Sequence, residues 1–213
     1  MELNTGQWII IILCAVLLVA YIRGFYYNRQ QAEKTLKWLF EGLKGWGKVA
    51  PGEKLPGMVT GGRLIVEPGA VPMRKIEALY LLAPRENPLF WLFYKLQGKR
   101  DELIVWVTYF TKPEQEFEAA RKGDRQFAGR MNAKDKPALT PVEAPPGLQM
   151  AYEAKDGTPV PEKLSTFVNG HANMLMHLSL RSNKPHLFLR ADLRRVTAHT
   201  ASEFFNELSE LKS

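Results

Sequence analysis

Four histidines are the first residues to test for chemistry: His171, His177, His186 and His199. None forms the i, i+4 pair that sets two imidazoles on one helix face, and there is no cysteine cluster beside them. The pattern predicts no metal site and no cofactor. Gly42, Gly45 and Gly47 have the wrong spacing for a dinucleotide loop. Gly98-Lys99 is followed by Arg100 where a P-loop needs Ser or Thr. No serine stands in a Gly-x-Ser-x-Gly elbow. Asp101 and Glu102 fall at a strand start, where solvated carboxylates are routine. The expectation is a protein without catalytic activity.

One constellation remains. Met174 to Arg181 and His186 to Arg194 alternate as a hairpin whose outward face carries His177, Ser179, Arg181, His186, Arg190 and Arg194. Arginine forks suit phosphate or carboxylate, so this face is a candidate anionic-ligand site. The competing reading is an ordinary solvated sheet face, partly neutralised by Asp192.

The element that must position such a site in the cell is the N-terminal stretch. Trp8 to Ile22 runs without a charge and contains the only cysteine, Cys14. Trp8 to Tyr27 as a helix reaches about 30 Å, the thickness of a bilayer's hydrocarbon core. It is predicted as a single transmembrane anchor over residues 1–27. Trp8 at one edge and Phe25, Tyr26 and Tyr27 at the other are the expected interface aromatics. Only Glu2 precedes the span, whereas Arg23, Arg29, Lys34, Lys37, Lys44 and Lys48 follow it. The positive side stays in the cytoplasm, so the N-terminus is expected outside and the large C-terminal part inside. A cleaved signal would need a basic n-region and a small-residue cleavage site. The chain has 29 Lys and Arg against 22 Asp and Glu, a net charge of +7, which suits anionic lipid. The basic residues are scattered, which argues against nucleic acid.

Residues 28–57 are predicted as a basic amphipathic juxtamembrane helix and a Gly/Pro linker. Ala32, Leu36, Leu39, Phe40, Leu43 and Trp46 form the apolar stripe. If that stripe lay in the interface, Arg23, Arg29, Lys34, Lys37, Lys44, Lys48, Phe40 and Trp46 would touch the membrane surface. Otherwise the stripe packs on the domain behind it.

Residues 58–213 are predicted as a soluble α+β domain, with a mostly antiparallel sheet and helices mainly on one face. Strands are expected at Arg63 to Glu67, Arg74 to Ala83, Leu103 to Phe110 and Leu148 to Ala154, besides the last hairpin. Pro88 to Gln97 (Leu89, Phe90, Trp91, Leu92, Phe93, Tyr94, Leu96) is expected as a core helix, with a membrane contact as the alternative. A short helix is expected from Thr111 to Arg121, and a proline-rich excursion around 111–161, irregular over Arg125 to Pro146. Helices are expected over Pro161 to Asn169 and after Thr200.

These features predict a single-pass accessory or interaction protein that presents its domain to a membrane-protein partner. The alternative is a tethered module for anionic lipid headgroups or a small acidic ligand.

Overall fold

The apolar run and the amphipathic stretch after it form one unbroken helix, because no proline interrupts them. The computed structural model describes residues 4–51, 61–132, 139–154 and 159–211. Helix α1 (Thr5–Leu43) has 39 residues, a length of about 58 Å. Asn4 and Gln7 cap each other reciprocally, each side chain accepting from the other's amide at 2.9 Å, which satisfies two of the orphan donors. The most apolar window of α1 has a mean hydropathy of 2.5 and is 6% buried. The helix is long and apolar enough to cross a membrane.

The second half of α1 belongs to the domain. Thr35, Leu39, Gly42 and Leu43 are buried, whereas Leu36 and Phe40 of the predicted stripe stay exposed. The partner is α6 (Ala201–Glu210). Gly42 lets the two helices touch: a Cβ there would lie 2.6 Å from the Phe205 ring and 2.9 Å from Ala201 Cβ. Trp38 stacks at an angle against Phe204 and Phe205, and its indole N–H donates to His199 O at 2.9 Å. Trp38→Phe keeps a ring and loses that bond. It is expected to cost about 1 kcal/mol, read from the denaturation midpoint of the detergent-solubilised protein.

A 3-10 turn, Lys44–Trp46, leads into β1 (Gly47–Pro51), β2 (Gly61–Gly69) and β3 (Met73–Leu81). Then come α2 (Pro88–Leu96), β4 (Glu102–Tyr109), β5 (Phe117–Arg121), α3 (Arg125–Met131), β6 (Thr140–Val142) and β7 (Leu148–Tyr152). The chain ends with α4 (Glu162–His171), β8 (Leu175–Leu180), β9 (Leu187–Asp192), the short α5 (Leu193–Val196) and α6. Among the described residues the strands make one nine-stranded sheet in the order β1-β2-β3-β4-β9-β8-β5-β7-β6, and every pairing there is antiparallel. The class is α+β.

Strand alternation gives the sheet two different faces. One carries Val66, Ile76, Val105, Leu189, Leu178 and Ala119, packed with residues of α1, α4, α5 and α6 in the main core. Tyr109 crosses this core; its hydroxyl donates to Leu208 O at 2.9 Å, and burial pushes the phenol well above its ordinary range. The other face has a smaller core, where Phe127 of α3 packs with Ala120, Leu139 and Ala151.

Several expectations change. Thr111 to Arg121 is not a helix, since Phe117–Arg121 is β5, paired on both sides. Its Phe-Glu-Ala-Ala run suits either state, and ladder bonds decide it. The excursion is ordered in two pieces, α3 and β6, with residues 133–138 outside the described residues. The linker is not a spacer over 47–51, which form the edge strand β1; residues 52–60 lie outside the described residues, and so does Asp156-Gly157, a dipeptide whose sequence predicts a turn. The expected core helix over 88–97 exists as α2, capped by Asn87, whose side chain accepts from Phe90 N at 3.1 Å. None of its residues is buried.

Candidate functional site

The structure takes the predicted hairpin face apart. β8 and β9 pair with a register shift between Leu175 and His177, and His177 and Ser179 then point to the face opposite the main core. They are not solvated there: both are almost wholly buried, together with Glu118 of β5. The Glu118 carboxylate accepts from His177 Nε2 at 2.8 Å, Ser179 Oγ at 2.8 Å and Arg181 Nη2 at 2.9 Å. His177 Nδ1 lies 3.5 Å from Asp124 Oδ1, the oxygen that caps α3 by accepting from Gln126 N and Phe127 N. Glu116 repeats the arrangement, accepting from Arg130 Nη2 at 2.6 Å and Ser182 Oγ at 2.9 Å. Burial alone would raise the Glu116 carboxyl; the bonds from Arg130 and Ser182 outweigh it and hold the group below its ordinary value. This cluster closes charge on itself and fastens α3 to β5 and β8. A cavity of about 550 Å³ opens beside it, lined in part by Trp106, Arg130, Arg181, Lys184 and Phe188.

The remaining members are dispersed. Arg190 makes a two-pronged pair with Glu102, Nε at 2.8 Å and Nη2 at 2.7 Å. His186 stacks on the Tyr109 ring, and its Nδ1 accepts from Tyr109 N at 3.0 Å. Burial, and then the nearby Lys184 charge, lower the His186 pKa. The sign follows from where the proton binds. Above about pH 6.5 both folded and unfolded histidine are neutral. As pH falls through that value the unfolded chain takes up the proton first, so stability is lost on acidification. His186→Gln is expected to flatten this loss between pH 7.5 and 5.5. An equal fall in melting temperature for both proteins would contradict it.

A second constellation lies where the apolar segment of α1 meets the domain. The loop from β3 to α2 crosses α1 at Gly24, where a Cβ would stand 1.9 Å from Arg85 O. One turn on, the buried Asn28 donates to Ala83 O at 2.9 Å and to Glu86 Oε2 at 2.6 Å. Arg85 donates to Asn28 Oδ1 and to both oxygens of Asp101, at 3.1, 3.0 and 2.8 Å. Its guanidinium also covers the Tyr27 ring at 4.8 Å. Arg194 donates to Tyr27 Oη at 3.2 Å and approaches Asp101 at 3.5 Å. Sequence placed Tyr27 among interface aromatics and Arg194 on a ligand face; the structure joins them in one clasp. Gly24, Asn28, Arg85 and Asp101 were not legible as a unit, because 57 and 16 residues separate Arg85 from its Asn28 and Asp101 partners.

Beside this clasp, α2 projects with Leu89, Phe90, Leu92, Phe93 and Leu96 exposed. Behind it is a cleft of about 550 Å³, lined by Arg85, Lys95, Lys99, Arg100, Arg194 and Arg195 against Asp101 and Asp192. The other predicted surface residues spread along α1 and into β1. Trp8, Phe25, Tyr26, Arg23, Arg29 and Lys48 are exposed, and Arg29 pairs with Glu33 at 3.1 Å. Lys34 and Lys44 follow Arg23 by about 16 and 32 Å along the axis. With Lys37 and Trp46 they line a groove of about 690 Å³ between α1 and α6. A helix continuous with the apolar segment does not turn to lie in the same plane.

Among the described residues, no group of three or more His, Cys, Asp or Glu is arranged to hold a metal ion. No family model matches this chain, and no curated protein matches it. What fold and site define is a class: an antiparallel α+β domain clasped to a helix long and apolar enough to cross a membrane.

Proposed function

We propose that the chain is a single-pass membrane protein whose domain works by binding, as an accessory to a membrane-protein assembly. The N-terminus lies outside and the domain on the cytoplasmic side. The clasp at Gly24 and Asn28 carries this reading. A flexible tether would suffice to keep an enzyme near a membrane, whereas here the helix enters the domain's core and the domain's orientation is set. A fixed orientation matters when a particular surface must meet a neighbour in the same bilayer. The basic residues after the apolar segment favour the cytoplasmic side. The buried carboxylates Glu116, Glu118 and Asp101 are each held by several structural donors, an arrangement suited to rigidity more than to proton transfer.

The test is gentle extraction from native membranes, native sizing and identification of what co-migrates. A single reproducible set of membrane proteins, at a mass well above the chain's 24.2 kDa, is the expected result. A lone chain in a detergent belt would overturn the accessory reading.

A further inference from the structure

We propose that α2 lies in the headgroup layer beside α1, and that the cleft behind it seats the phosphate of an anionic phospholipid against Lys95, Lys99, Arg100 and Arg195. The proposal rests on the reading that α1 crosses a membrane.

The argument begins with α2 itself. Its nine residues are Pro-Leu-Phe-Trp-Leu-Phe-Tyr-Lys-Leu. Leu89 and Leu96 are 72% and 78% exposed, and Phe90 and Phe93 are 66% and 60% exposed. Such a cluster of large apolar side chains on a soluble surface signals a binding surface. What covers it follows from position. α2 begins two residues after Glu86, whose backbone lies against Gly24 of α1, and it packs beside α1. The apolar segment of α1 is exposed on all sides up to the same level, through Tyr21, Ile22, Phe25 and Tyr26. The two surfaces are continuous, and one medium covers both. At nine residues α2 is far too short to span, and its Trp91, Tyr94 and Lys95 are of the types that settle at headgroup level.

The cleft supplies the matching polar half. Of its six basic side chains, Arg85 and Arg194 face Asp101, and Arg100 pairs with Asp192 at 3.0 Å. Lys95 and Lys99 rest on the Trp91 and Tyr94 rings, each 5.2 Å from the centroid. Arg195 donates to Asn173 O, the carbonyl that Arg121 also reaches. Six basic side chains against two carboxylates leave the cleft positive; in keeping with this, burial and then the charges of Arg100 and Arg195 lower the Arg121 pKa, with Asp192 acting in the opposite sense. A phosphate there would meet several donors at once, with acyl chains running along α2 and α1.

The full chain, purified in mild detergent from a membrane containing phosphatidylglycerol and phosphatidylethanolamine, is analysed by lipid mass spectrometry. Wild type is expected to retain one phosphatidylglycerol per chain. Lys95→Glu with Lys99→Glu is expected to lower retention about tenfold or more, as each basic residue at an anionic surface contributes several-fold. Lys34→Glu with Lys37→Glu, the same charge change on the α1–α6 groove, should leave it unchanged. Brominated lipids in nanodiscs should quench Trp91 fluorescence, identified as the part of the quenching lost in Trp91→Phe. Equal retention in both double variants, or no quenching at Trp91, would overturn the proposal. Displacement of the lipid by millimolar inorganic phosphate would assign the cleft to a soluble anion and overturn the lipid. Extraction of the protein by alkaline carbonate would instead remove the transmembrane reading of α1; retention in the membrane with no quenching at Trp91 would leave that reading standing and remove only this one.

Discussion

Glu118→Ala is expected to destabilise the domain by about 3 kcal/mol, at the lower end of what breaking a buried ion pair costs. The lower end applies because Arg181 is 39% exposed and its freed guanidinium can turn to water. The cost comes from the others. His177 and Ser179 are buried beneath α3, and each loses the acceptor that justifies its position. The damage should spread to α3, whose N-cap Asp124 faces His177 from the other side. The measurement is chemical denaturation of the solubilised protein, with hydrogen exchange following α3. Replacing the group together, Glu118→Leu with His177→Leu and Ser179→Ala, should restore much of the loss, since a buried polar cluster is worth little against apolar side chains of similar volume. A loss below about 1 kcal/mol in Glu118→Ala would show that the network is not a structural unit.

That cluster also shows where reading the sequence stopped. The alternation of β8 and β9 was legible, and so was the face that His177, Ser179 and Arg181 share. Their burial was not, because it depends on Glu118, which sat in a stretch expected to be helical, and on α3, which sat in a stretch expected to be irregular. Local pattern reports which side chains share a face, but not what covers it. The same limit explains α2. Pro88, Gly98 and nine residues of apolar sequence define its ends, and hydrophobicity alone does not distinguish a core from a lipid as the medium. In α1 the apolar segment was legible, and so was a helix continuing from it, but the buried face of that continuation was legible only at Leu39 and Leu43: Thr35 and Gly42 complete it, while Leu36 and Phe40 of the apolar stripe stay exposed. The clasp was invisible for a further reason: Gly24, between Arg23 and Phe25 just past the apolar run, reads as an ordinary small residue until a backbone from 61 positions away is laid across it.

Gly24→Ala is expected to free the domain from its fixed pose without unfolding it. The added carbon would sit 1.9 Å from Arg85 O, 2.3 Å from Arg85 C and 2.8 Å from Glu86 N. Overpacking against side chains costs about 1–3 kcal/mol because side chains can yield; here the obstacle is backbone, held by Asn28, Asp101 and the first turn of α2. The crossing therefore separates, and the bonds from Asn28 to Ala83 and Glu86 and from Arg85 to Asn28 separate with it. The sheet keeps its own ladders, and α1 keeps its contacts with α6 through Leu39, Gly42 and Leu43, so melting of the domain should change little. Distances report the difference. Spin labels at Cys14, inside the apolar segment, and at an introduced Lys122→Cys, in the exposed turn before α3, should give one narrow distribution in the otherwise native protein and a broad one in Gly24→Ala. Gly45→Ala, where the new carbon meets open space, should keep the narrow one. If Gly24→Ala stays narrow, the orientation is set by α1 and α6 alone and the clasp is dispensable. If it broadens, and co-migration with a membrane-protein partner is lost in the same variant while the fold is intact, then the orientation of the domain is what the partner reads.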